Sequence, residues 1–228
     1  MDKQYGLIFD VDGVIADTER VNAEASIKVF ADLFGVPGVI RADFEAGLGR
    51  GAAEYVRSAA RVYGIELSDD QVEAATKARQ ENFLSMLKVN PLPAFPGVLE
   101  LMKSALARDD FSVGIATSST REKSEAVLKS TGVPYMQMVY VTGNEVKNKK
   151  PDPELFLTAA VRLNLDPAQC VVIEDAPDGV EAAKTAGCRC VAVRNSTSRE
   201  KLSAADSVVE SLEEVDIHRV VNLIGGME

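Results

Sequence analysis

Five short apolar runs separated by helical stretches constrain this chain more than any other feature. Tyr5–Phe9, Phe111–Ala116, Met138–Val141, Cys170–Ile173 and Arg189–Val193 each read as a buried strand. Strands of that length alternating with helical segments specify βαβ units, and so an α/β fold with a parallel sheet. Helix-boundary chemistry agrees with the alternation. Asp152 is placed to cap a helix that has Pro153 at its first position and runs toward Asn164. Pro96-Gly97 opens a segment carrying Val98, Leu101, Met102 and Leu106. Gly187 follows Gly179–Ala186, where a helix-ending glycine belongs.

The alternation stops between Asp17 and Asn90. Here Ala23, Ile27, Phe30 and Phe34 share one helical face, and Gly51–Tyr63 reads as a second helix. Ser68-Asp69-Asp70-Gln71 is a capping-box pattern opening a third helix toward Lys88. The return segment from Asn90 to Gly97 is proline-rich and reads as a linker. Two domains follow: an α/β core of residues 1–15 and 93–228, and an all-helical cap domain of residues 16–92 inserted after the first strand. No internal repeat or low-complexity tract interrupts either.

Composition narrows the function. With 25 basic and 35 acidic residues the net charge is −10, which excludes nucleic-acid binding by phosphate neutralisation and a basic membrane-surface helix. The single histidine, His218, leaves no multi-histidine zinc site. It also leaves no Ser-His-Asp triad unless the C-terminal tail supplies the base. It lies far in sequence from every motif, which assigns it a surface role. Cys170, Cys188 and Cys190 form no CxxC, as expected of buried thiols in a reducing compartment. The apolar stretch before Asp10 is too short for a signal peptide, and no run approaches the ~18 apolar residues of a spanning helix. The expected location is the cytoplasm, with oligomeric state open.

Acidic chemistry is what remains. Asp10-Val11-Asp12-Gly13 ends the first strand, and its two-residue step puts both carboxylates on one face if the chain stays extended. Ligands of open α/β sheets bind at these carboxyl ends. Two adjacent carboxylates repel, so a cation or a catalytic task is needed to justify them, the alternative being a solvated strand end. The second run ends in Thr117-Ser118-Ser119 and the fourth in Glu174-Asp175, while Lys147-Asn148-Lys149-Lys150-Pro151 supplies cations. Hard oxygen ligands without histidine or thiolate suit Mg²⁺. Ser119 with Glu122 also fits a helix cap, and Lys147 and Lys149 read as a solvated loop. Gly47–Gly51 follows no strand, so it reads as a helix–helix turn rather than a dinucleotide loop.

Taken in order, Asp10-Val11-Asp12-Gly13-Val14 with Asp17-Thr18, Thr117, Lys150-Pro151 and Glu174-Asp175 resemble the four motifs of the haloacid dehalogenase superfamily. The helical cap after the first strand makes the chain most similar to the β-phosphoglucomutase-like phosphatase branch. The resemblance implies a Rossmann-like core. It implies that Asp10 is the nucleophile, that Asp12 is the acid–base, and that Thr117 and Lys150 bind the transferring phosphoryl group. Mg²⁺ is then expected on Asp10, the backbone carbonyl of Asp12 and Asp175, with Glu174 in or beside that shell. The turn carrying Arg50 becomes a specificity loop in which Arg50 grips the substrate's distal phosphate, with Ser118, Ser119 and Arg121 assisting from the core.

Two departures from the mutase pattern matter. Asn22, grouped with the substrate-facing residues, stands where the mutase has a cap histidine, and Ser85 where it has a cap lysine. Both favour plain hydrolysis. The expectation is a Mg²⁺-dependent phosphatase of a small phosphorylated metabolite, such as a sugar phosphate. A phosphohexomutase and a catalytically silent binding module are its alternatives.

Overall fold

The computed structural model describes residues 4–47 and 51–226, so Arg50 of the expected specificity loop lies outside the described residues. Along the chain run β1 (Tyr5–Phe9), α1 (Thr18–Phe34), α2 (Ala52–Val62), α3 (Asp69–Val89), α4 (Val98–Leu106) and β2 (Phe111–Ala116). They are followed by α5 (Arg121–Thr131), β3 (Val139–Val141), α6 (Glu154–Leu163), β4 (Cys170–Glu174), α7 (Pro177–Thr185), β5 (Arg189–Val193), β6 (Ser207–Val209) and α8 (Ile217–Gly225). The chain forms two compact units, one of Met1–Asp17 with Leu92–Glu228 and one of Thr18–Pro91.

The larger unit is a Rossmann-like α/β fold. Its sheet has the order β3-β2-β1-β4-β5-β6, and every pairing is parallel. β1, and β4 from Cys170 to Ile173, are apolar because both faces of a parallel sheet are covered. Ile8 and Val172 lie in one core with Leu155, Phe156 and Ala159 of α6 and Val180 and Ala183 of α7. Their neighbours Leu7, Phe9, Val171 and Ile173 point the other way and are equally buried. Each such side chain contributes about 1.5–3 kcal/mol. The three cysteines are free and buried in this sheet-centred unit.

The expected strands form with small shifts, and β6 adds a sixth. Three residues long, half-buried and placed at the sheet edge, β6 has too few apolar positions to show a period. The α6 helix has Pro153 rather than Asp152 as its N-cap, but the Asp152 carboxylate still accepts the Glu154 N–H at 2.9 Å. Asn164 ends that helix in the left-handed conformation.

Among its described residues the smaller unit's regular elements are all helical, with a 3₁₀ segment, Arg41–Gly47, before α2. Its core joins Phe30, Phe44, Tyr55, Val56, Ala59 and Ala75, and Ile27 and Phe34 pack against it. Phe44 stacks on Tyr55 at 4.8 Å between ring centroids and meets Phe30 edge-on at 5.7 Å. The Ser68 capping box closes as its spacing predicts: the Ser68 hydroxyl accepts the Gln71 N–H and the Gln71 side chain accepts the Ser68 N–H.

Candidate active site

Strand order places the chemistry. The chain leaves β1 toward β2 and β3 on one side and returns to β4 on the other, so the crossover direction reverses beside β1. Such a switch point opens a crevice at the carboxyl ends of the strands. Phe9 is in register with Ile115 of β2 and Ile173 of β4. The next residues, Asp10, Ala116-Thr117 and Glu174-Asp175, therefore gather at one edge, and the Asp10 N–H is anchored on the Ile173 carbonyl at 3.1 Å.

Three carboxylates there are almost fully buried: Asp10 at 4%, Glu174 at 1% and Asp175 at 4% exposure. Lys150 reaches them from the segment between β3 and α6. Its Nζ donates to Asp10 Oδ1 at 2.6 Å and to Glu174 Oε1, and it lies 5.0 Å from the centre of the Phe156 ring. Glu174 Oε2 accepts the backbone N–H groups of Asp175 and Ala176 at 2.8 and 3.1 Å, so both of its oxygens are committed. Two glycines make the seats. A Cβ on Gly179 would overlap the Glu174 carboxylate, and one on Gly13 would overlap that of Asp175. Gly13 also has a φ of 80°, which side chains disfavour.

Burial, together with the charges of Glu174 and Asp12, pushes the Asp10 carboxyl above its ordinary range, against the pull of Lys150. Asp175 is raised by burial, by Glu174 and by Asp10. Burial opposes the charge on Lys150, but Asp10 and Glu174 more than compensate and keep it protonated. Three buried carboxylates against one ammonium leave an uncompensated excess of negative charge, which fits a divalent cation. Among the described residues no three His, Cys, Asp or Glu side chains form a metal cage. With Glu174 committed, the open donors are one or two carboxylates, the pattern Mg²⁺ uses when waters and a phosphate complete its shell.

Asp12 lies at the rim. Ser119 Oγ donates to its Oδ2 at 2.5 Å, and Lys123 Nζ donates to its Oδ1 at 2.7 Å. The buried Thr117 hydroxyl accepts the Ser119 N–H at 3.1 Å, and the Ser118 hydroxyl is buried with no hydrogen-bond partner among the described residues. Ser119 is not the helix cap. Thr120 caps α5 by accepting the Lys123 N–H, which leaves Ser119 for Asp12.

Arg121 faces Glu125 and Glu145 at 3.5 and 3.4 Å and lies over the Tyr140 ring. Asn22 belongs to α1 of the helical unit, where its carbonyl accepts the Ser26 hydroxyl at 2.7 Å. His218 is exposed on α8. Three contributors were missed by the sequence reading. Lys123 is one, and a cation in a helix's first turn was the available signal. The other two follow β5: Asn195 donates to the Gly13 carbonyl and Ser196 to that of Asp175, both at 2.8 Å.

Known proteins resemble this chain in sequence and in fold. Fructose-1-phosphate phosphatase YqaB of Escherichia coli (strain K12) is 33% identical over 85% of this chain and 98% of its own length. The chloroplastic Protein SUPPRESSOR OF QUENCHING 1 of Arabidopsis thaliana is 34% identical over 89% of this chain, which spans only 19% of that longer protein. The crystal structure of CbbY from Rhodobacter sphaeroides in complex with phosphate superposes with a TM-score of 0.83 at 26% identity, covering 95% of this chain and 98% of that one. The haloacid dehalogenase-like hydrolase model matches residues 7–193, from β1 through β5 and every carboxylate above, and the chain belongs to that family of hydrolases.

Proposed function

We propose that the chain is a Mg²⁺-dependent phosphomonoesterase that hydrolyses a small sugar phosphate through an aspartyl-phosphate on Asp10. The observation carrying this reading is the buried Asp10–Lys150–Glu174 cluster with Asp175 at the sheet's switch point. The YqaB relative, named for fructose 1-phosphate, supports the substrate class.

Lys150 orients the Asp10 carboxylate and offsets its charge, so that an anionic substrate is tolerated beside it. The carboxylate attacks phosphorus, forming the acyl phosphate as the bond to the sugar oxygen breaks. Asp12 gives that oxygen a proton. Asp12 then takes one from the water that attacks the phosphoenzyme, releasing phosphate and restoring Asp10. The Thr117 hydroxyl and Lys150 Nζ hold the transferring phosphoryl oxygens. Asp10, Asp175 and the Asp12 carbonyl would hold Mg²⁺, which when bound supplies positive charge against those oxygens. Glu174 works beside that shell by fixing Lys150.

The test is a Mg²⁺-supplemented panel of phosphorylated metabolites read by inorganic phosphate release. At least one sugar phosphate should be turned over, and Asp10→Asn should lower kcat by about 10³-fold or more. Turnover of nothing, or full activity in Asp10→Asn, sinks the proposal. Isomerised sugar phosphate without phosphate release replaces it with a mutase.

A further inference from the structure

Lys123 stands where a lysine is not expected. It occupies the first turn of α5, where the peptide dipoles favour anions, and its side chain is 19% exposed. Ordering a lysine side chain also costs rotamer freedom. What offsets these costs lies 111 residues away in sequence: Nζ donates to Asp12 Oδ1 at 2.7 Å and to Ser119 Oγ at 3.3 Å, while Ser119 Oγ donates to Asp12 Oδ2 at 2.5 Å. Each oxygen of the Asp12 carboxylate therefore accepts from the start of α5 or the turn before it. Asp12, by contrast, sits in a turn after β1, where it is bridged to Ala16, with its side chain 30% exposed.

We infer that Lys123, assisted by Ser119, is the positioning residue that aims the Asp12 carboxyl at the leaving-group oxygen. The inference rests on the acid–base role proposed above for Asp12. Lys123 touches neither phosphorus nor the breaking bond. It acts on the direction of another side chain, and proton transfer demands that direction because the carboxyl must lie within hydrogen-bond reach of the oxygen it serves. The need depends on the leaving group. A sugar alkoxide departs poorly without a proton, whereas 4-nitrophenolate departs unprotonated. Misaiming Asp12 therefore penalises the first and spares the second.

The experiment compares kcat/KM for a sugar phosphate turned over in the panel with that for 4-nitrophenyl phosphate. In Lys123→Met the sugar phosphate value should fall about 100-fold, the scale of a misplaced catalytic group, and the aryl value less than about fivefold. Ser119→Ala, which keeps the lysine, should shift the ratio in the same direction by a smaller factor. Aminoethylation of K123C rebuilds a lysine-like side chain selectively, because the three native cysteines are buried, and should restore most of the loss. Equal losses on both substrates, or no recovery on aminoethylation, overturn the inference while leaving the phosphatase reading intact. A wild-type protein that releases phosphate from neither substrate overturns both.

Discussion

Gly179 lacks a side chain because Glu174 occupies the space one would fill. Its backbone is ordinary helix, so the constraint is steric alone, unlike that on Gly13 with its φ of 80°. Gly179→Ala should therefore cost about 1–3 kcal/mol, the usual penalty for overpacking, read as a lower urea midpoint. Displacing Glu174 also loosens Lys150, so phosphatase activity should drop together with stability. An unchanged midpoint with full activity would contradict the seat. At this scale the sequence was half legible. Asp10, Asp12, Glu174 and Asp175 stand out as charged residues beside strand ends, and Lys150 by Pro151 and its place in the family motif. Gly179 and Lys123 do not, because what each is for lies in a contact with a residue elsewhere in the chain.

Helix ends were largely readable, because capping is chemistry among residues within four positions of one another. Ser68 shows it in the helical unit: both hydrogen bonds of its capping box form. Ser68→Ala should cost the protein about 1 kcal/mol, measurable by chemical denaturation, with no effect on chemistry in the core unit. The start of α5 shows the limit. Ser119 and Thr120 are both hydroxyl residues able to cap, and local spacing does not choose between them. Asp12 does, by engaging Ser119 and leaving the cap to Thr120. The edge strand β6 escaped for a related reason: three residues paired on one side carry almost no periodicity, and β5 alone makes them a strand.

Across the whole molecule, net charge and local charge act in opposite senses. A net charge of −10 repels a phosphate dianion at long range, while Lys150 and the proposed Mg²⁺ would attract it at contact. Screening removes the long-range part first. Raising NaCl from about 10 to about 150 mM should therefore increase kcat/KM for an anionic substrate by about twofold, and a fall would show that short-range attraction dominates. The linear sequence determined the repeating strand–helix units, the helical elements of the smaller unit's described residues and the residue types available for chemistry. Hydrophobic periodicity and capping are settled by neighbours within a turn or two, so they are written locally. Strand order, the switch point beside β1 and the pairings of Lys150 with Asp10, Lys123 with Asp12 and Gly179 with Glu174 were decided only by the tertiary structure. The two ion pairs join residues more than a hundred positions apart, and they form because packing the sheet has already met the entropic cost of bringing distant segments together.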